Sequence, residues 1–164
     1  MASGSKRYIA ADVECVATGK RHDDRDVCLV AVVDANEKVI LKRKVKPEKR
    51  IVSYLTPLTG VRQGDLDDGE RLSDVIKEVK ALLGPDVVLV GQGVKSDIKW
   101  LHLEEGKDYN SFVDLGQMFK AYNSRYGNYS FFSLSHEANT LIRPGKTIIL
   151  HLITTSIQTI FFSN

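Results

Sequence analysis

The chain has 164 residues, 43% hydrophobic and 27% charged, with a formal net charge of +2. That length suits one domain with a sizeable core, and the composition excludes a disordered or fibrous chain. A balance of +2 neither demands nor excludes a nucleic-acid partner, and two cysteines are too few for a disulfide framework or a zinc cluster. Cys15 and Cys28 both lie in apolar runs and read as small buried hydrophobes. No run of about 18 apolar residues occurs, so no membrane span is expected. The start, MASGSKRYIAAD, lacks an apolar stretch followed by a small-residue cleavage site. An intracellular protein without a secretion signal is expected from it.

In chain order, YIAADVEC (8–15) reads as a buried strand whose end carries two acids, Asp12 and Glu14. VCLVAVVD (27–34) and EKVILKRKV (37–45) are strands, joined around Ala35 and Asn36 by a link short enough for a hairpin. Val39, Leu41 and Arg43 share one face and Ile40, Lys42 and Lys44 the other, the mark of an edge or solvent-facing strand. In ERLSDVIKEVKALL (70–83), Leu72, Val75, Ile76, Val79, Leu82 and Leu83 fall at helical spacing, and Gly84–Pro85 stops the helix. VVLVG (87–91) is a short continuous apolar run, as in a strand buried on both faces. VKSDIKWLHL (94–103) is a helix candidate and SFVD (111–114) a strand. LGQMFKAYN (115–123) leads into a helix, and SLSHEANTLI (133–142) is a further one. This order predicts an α/β fold, a mixed sheet covered by helices.

Active sites in such sheets lie in the crevice at the strand carboxyl ends. Asp12 and Glu14 are two apart, so in a strand their side chains point the same way, roughly 7 Å apart at the Cα atoms. Like charges that close raise each other's pKa and cost stability unless a cation lies between them. Asp97 follows VVLVG, and Asp114 ends SFVD, so four acids stand at or just past strand ends. A strand often ends in a solvated Asp, which is the simpler account of Asp114. Carboxylate oxygens suit hard cations such as Mg²⁺ or Mn²⁺. Two such ions roughly 4 Å apart support phosphodiester cleavage.

ADVEC and VVLVGQGVKSDIKWL resemble the first two motifs of the DEDD 3′–5′ exonucleases: Asp-x-Glu at a strand end, then an Asp just inside a helix after a buried strand. VKPEKRIVSYLTPLTGV (45–61) and FVDLGQMF (112–119) resemble further segments of the RNA exonuclease 4-like branch. The resemblance implies a ribonuclease H-like mixed sheet flanked by helices, over residues 1–142. It implies a two-ion site in which Asp12 bridges the metals, Glu14 holds one and Asp97 completes the second through solvent. It implies removal of nucleotides from the 3′ end of RNA or single-stranded DNA, and it favours the nucleus. Val16, Ala17, Thr18, Gly19 and Lys20 would lie beside the terminal nucleotide, Lys20, Arg21 and His22 would touch phosphate, and Asp114 would be mainly structural.

The pattern breaks near the end. The family's third motif is a His, the general base, followed a few residues later by a metal-binding Asp. No Asp follows Asp114 here, and the only later acid is Glu137. His136 lies in the helix before the missing motif, and His151 has no acid after it. Residues 143–164 read as an atypical tail: ILHLITTSIQTIFF is uncharged, β-prone and free of Pro. A splice form or misassigned gene end, with the C-terminal part truncated or replaced, is the expectation drawn from it. Hydrolysis is then expected to be impaired. Two alternatives stand beside the exonuclease: a catalytically inactive nucleic-acid binder, and a dinucleotide-binding domain. GQGVKS follows a strand and opens a helix, with Asp114 at 21 residues past Gly93, but Ser96 replaces the third glycine.

Overall fold

Two long runs of β-branched and small apolar residues form an antiparallel pair, β1 (Arg7–Ala17) and β2 (Arg25–Asp34). The structure is a computed structural model that describes residues 5–36, 38–118 and 120–131. The expected helix at 133–142, His136, His151 and the tail 143–164 lie outside the described residues.

β2 continues through a hairpin into β3 (Val39–Lys44), which is an edge strand as its half-polar pattern predicts. A four-residue helix, α1 (Thr56–Thr59), and the amphipathic α2 (Leu72–Leu82) follow. β4 (Val87–Gly91) then enters beside β1 in parallel, buried on both faces along its whole length. α3 (Lys95–Trp100) leads to β5 (Ser111–Asp114), parallel to β4. The sheet order is β3-β2-β1-β4-β5, so β1 is central and carries neighbours of both senses. This is the mixed sheet flanked by helices that the sequence predicts.

Each face of the sheet buries its own cluster. Ile9, Ala11, Val30, Val32 and Leu89 meet Val75 and Val79 of α2 and Leu101 after α3 on one side. Val16, Cys28, Leu29 and Ala31 meet Val61 and Leu66 on the other, with Ile51 and Tyr54 packed against them. The segment 45–61 therefore covers the second face. Its turn is closed by its own threonines: Thr56 Oγ1 donates to Val61 O at 2.6 Å and Thr59 Oγ1 to Tyr54 O at 2.8 Å.

The region after β5 departs from the sequence expectation. Only Leu115–Met118 is helical, as α4, and Lys120–Asn123 (β6) and Asn128–Phe131 (β7) form a separate hairpin. Tyr122 and Tyr129 face each other across it, their ring centroids 5.4 Å apart, and Gly127 takes φ 63 in its turn. Cross-strand aromatic pairing and a left-handed turn residue outweigh the weak helical pattern of LGQMFKAYN.

Leu89 is fully buried in β4 between the helices and β1. Leu89→Ala should lower unfolding free energy by about 2–5 kcal/mol, read from urea denaturation followed by circular dichroism.

Candidate active site

β4 pairs with β1 only from Arg7 to Ala10. β1 runs on alone on that side, so the backbone beyond Ala10 presents an open edge at the end of β4. A free edge deep in a sheet leaves N–H groups without ladder partners. The first turn of α3 fills the gap. Asp97 Oδ1 accepts a hydrogen bond from the Val13 N–H at 3.0 Å. One bond thereby does two things: it satisfies the exposed edge of β1, and it sets the Asp97 carboxyl between the neighbourhoods of Asp12 and Glu14.

The link that makes this possible is short. β4 ends at Gly91, where a Cβ would stand 3.0 Å from the Val94 Cβ, and Gly93 takes φ 68. Asp114, at the end of β5, fixes the same turn. Its Oδ1 accepts from Gly93 N–H at 3.0 Å and from Gly116 N–H at 3.1 Å. Asp114 thus binds backbone rather than facing the other three acids.

On the opposite edge, β1 and β2 shift register between Glu14 and Cys15. Glu14 pairs with Leu29 and Cys15 with Val27, so Cys28 is the extra residue of a bulge facing the site. Cys28 and Leu29 consequently both turn into the second cluster, and Cys28 Sγ donates to Glu14 O at 3.3 Å. Sequence alone gave no sign of this bulge; only the paired register reveals it.

The electrostatics follow from the crowding. Burial first, and the Asp12 charge second, push the Glu14 carboxyl from 4.5 up to about 7. Burial, then Asp12, push Asp97 from 3.8 up to about 8, against the pull of the Val13 N–H. The Cys15 thiol beside them is pushed up to about 12 by burial, then by Glu14 and Asp97, so it is no thiolate nucleophile. Asp12 is the exposed member of the three. Among the described residues, no Lys or Arg forms an ion pair with Glu14 or Asp97.

An all-oxygen cluster of mutually repelling carboxyls is the donor set a hard divalent cation takes. Among the described residues, however, no three His, Cys, Asp or Glu side chains are drawn into an ion-sized shell. The two observations differ in range. Charge coupling acts over several ångströms, whereas an Mg–O contact needs about 2 Å. The acids are gathered into one neighbourhood and not closed around a point.

The residues after Glu14 divide. Val16 and Ala17 are buried, and the Ala17 N–H and C=O are both engaged by the strand-like segment at Val52 and Ser53. Their side chains therefore do not face solvent as expected of substrate contacts. They anchor the loop that follows. Thr18 and Gly19 are half-buried and Lys20 is exposed. Asp24, which the sequence reasoning passed over, organises that loop: its Oδ2 accepts from Arg21 N–H at 2.9 Å, its C=O accepts from Thr18 N–H at 3.0 Å, and its carboxylate fills the space a Gly19 side chain would need.

Residues 9–140 match the family model described as Exonuclease. The chain belongs to this exonuclease family. Among curated relatives, the exonuclease domain is 33% identical over 104 residues to "RNA exonuclease 4" of Xenopus tropicalis, covering 63% of this chain and 25% of that protein. It is 32% identical over 119 residues to "Small RNA degrading nuclease 3" of Arabidopsis thaliana, covering 71% and 14%. The chain thus spans a quarter or less of the length of these two relatives. In fold it is similar to the Saccharomyces cerevisiae Pan2 pseudoubiquitin hydrolase–RNA exonuclease module, solved with AAGGA RNA, with TM-score 0.69 and 19% identity over 97% of this chain and 30% of that one. It is also similar to Escherichia coli exonuclease I bound to a dA13 oligonucleotide, with TM-score 0.63 and 14% identity over 95% and 41%.

The raised carboxyls link pH to stability. In the unfolded chain Glu14 and Asp97 ionise near their ordinary values; folded, they hold protons to about 7 and about 8. Their contribution is fully present below about pH 4 and is lost as pH rises through 7–8, where the folded state must accept the charges. In EDTA, the thermal midpoint of the wild type should therefore fall relative to that of Asp97→Asn as pH rises from about 5 to about 8. Asn keeps an acceptor for Val13 N–H but carries no charge. Parallel curves for the two proteins would show that Asp97 does not titrate in this window.

Proposed function

We propose that this exonuclease domain, residues 1–142, removes nucleotides from the 3′ end of RNA or single-stranded DNA by phosphodiester hydrolysis. The observation that carries the proposal is the meeting of Asp12 and Glu14, past the end of β4, with Asp97 held over them by the Val13 N–H. Asp12, Glu14 and Asp97 would hold Mg²⁺ or Mn²⁺ in a two-ion site. What such ions supply when bound is an acidified water and charge stabilisation at the leaving oxygen.

The chain's own residues do the rest. Glu14 and Asp97 hold protons near neutral pH, so cation capture releases protons and strengthens as pH rises. The loop of Thr18, Gly19 and Lys20 stands just beyond the acids and would meet the terminal nucleotide. Exposed Lys20 and His22, with Arg21, give it a cationic rim for phosphate. Val16 and Ala17 brace that loop from the core.

No Asp follows Asp114, so this chain carries no third-motif His–Asp pair. Loss of a general base costs about 10²–10⁴-fold in rate. We therefore propose weak hydrolysis with nucleic-acid binding retained, and residues 143–164 as a tail outside the catalytic unit. The same missing motif favours the second reading, a catalytically inactive binder of nucleic-acid ends. The dinucleotide-binding alternative loses support, because Asp114 already takes the Gly93 N–H that a pyrophosphate would need. No helix among the described residues is long and apolar enough to cross a membrane. An intracellular and nuclear site of action remains part of the proposal, resting on the RNA exonuclease relatives.

The test is degradation of a 5′-labelled single-stranded RNA in Mn²⁺. The wild type should bind the strand and shorten it slowly from the 3′ end, and the Asp12→Ala, Glu14→Ala variant should lose the shortening. Turnover near the enzyme median of about 10 s⁻¹ would refute the impaired site. Binding without any shortening would establish the inactive binder, and no binding at all would refute both.

A further inference from the structure

The helical face of the sheet carries a cavity of about 390 Å³ next to the acids. Its floor is apolar, built from Val27 of β2, Leu72 and Ile76 of α2, and the half-buried indole of Trp100 on α3. Lys46 and Lys49, from the loop after β3, line its rim. The two lysines differ. Lys49 Nζ is held 3.4 Å from Asp26, whose carboxylate also accepts the Lys49 N–H at 3.0 Å. Lys46 is exposed and stands outside the ion pairs that engage Arg43, Lys44 and Lys49.

Two connections tie the cavity to the site. Trp100 follows Asp97 by three residues on α3, which puts the two on one flank of the helix, about 4.5 Å apart along its axis. Val27 is the ladder partner of Cys15, the residue after Glu14. One wall of the cavity is thus α3 itself, and another is the strand beside the acids.

We propose that this cavity receives the base of an upstream nucleotide of the same single strand whose 3′ end lies at Asp12, Glu14 and Asp97, stacked on Trp100 with its phosphate at Lys46. The inference rests on the exonuclease reading and gives it a second subsite. An apolar floor with one aromatic plane accepts any base, since every base has a π-face, and a lysine at the rim answers a phosphate without reading sequence. The volume is at the small end of ligand sites, which suits one nucleotide rather than a peptide or a whole dinucleotide.

Trp100 is the only tryptophan of the chain, so its emission reports on the cavity directly. The experiment uses the full 164-residue chain with Asp12→Asn, so that the strand is not consumed. An unlabelled oligoadenylate is titrated in Mg²⁺ while Trp100 fluorescence is followed, and the anisotropy of a labelled copy is read in parallel. Quenching that saturates with the anisotropy is expected, with much weaker quenching by AMP, which has no upstream nucleotide. Lys46→Ala, a surface change, should weaken oligonucleotide affinity several-fold and leave AMP affinity unchanged. Trp100→Leu should weaken it by about tenfold, with Trp100→Phe retaining most of it. Circular dichroism confirms that each variant folds. If anisotropy reports binding while Trp100 emission stays constant and Lys46→Ala has no effect, the subsite is wrong and the exonuclease reading stands. If no oligonucleotide binds, the exonuclease reading fails and the subsite with it. Quenching by AMP equal to that by the oligonucleotide would make the cavity a free mononucleotide site and overturn the strand assignment.

Discussion

The bond from the Val13 N–H to the Asp97 carboxylate is the constraint on which the rest of the site depends. β1 is longer than β4 is wide in register, because their ladder stops at Ala10 while β1 continues to Ala17. The overhang leaves backbone donors facing a space that is neither sheet nor open water. A carboxylate that fills it is costly as a charge, since it is buried, and useful as an acceptor, since the donor needs one. The fold accepts that compromise, and in doing so fixes a third acid beside two that the strand already carries.

The other elements serve that placement. α3 must begin immediately after β4 for Asp97, in its first turn, to reach back to Val13. The turn is tight enough that Gly91 lies against Val94, and Gly93 takes a left-handed backbone. Asp114 pins the turn from the neighbouring strand through two backbone N–H groups. On the far edge of β1 the Cys28 bulge changes the pairing phase just after Glu14. That lets Val16 return to the core after two acids have faced outward, so the strand can end its polar excursion and be held by the segment at Ser53. Acidic cluster, bulge and overhang are consequences of one strand being asked to be core at both ends and polar between.

The sheet and α2 were legible because their residues repeat at the periods of the structures they form: the full burial of VVLVG and the 3.6-residue spacing from Leu72 to Leu83 leave little choice. The pair Asp12 and Glu14 was legible as well, from two charges at the end of an apolar run, and Asp97 from its position after a buried strand. What sequence did not disclose depends on register. Neither the Cys28 bulge nor the Asp97–Val13 bond has a local pattern, because each is set by how far two distant segments slide past one another. Burial of Val16 and Ala17 has the same origin: the residues after Asp-x-Glu were placed at the substrate by resemblance, yet pairing with Ser53 commits them to the core. The β6–β7 hairpin was missed because four-residue strands are too short for a period to show.

Stability and chemistry pull against each other at these acids. Folding gathers three carboxyls where two of them resist ionising, so the folded state near neutral pH carries an electrostatic cost that more distant acids do not impose. A purely structural protein would gain by replacing Asp97 with a neutral acceptor, which could cap Val13 equally well. The cost has a return only if something positively charged is drawn to the cluster, because a cation converts mutual repulsion into shared attraction and favours the ionised forms that burial disfavours. The same logic explains why the neighbouring cationic groups, Lys20 and Lys46, are exposed and point away from direct pairing with the acids: a lysine in contact would neutralise the cluster permanently. Keeping the positive charge at the rim leaves the centre open to a divalent ion and draws the phosphates of an incoming strand toward it.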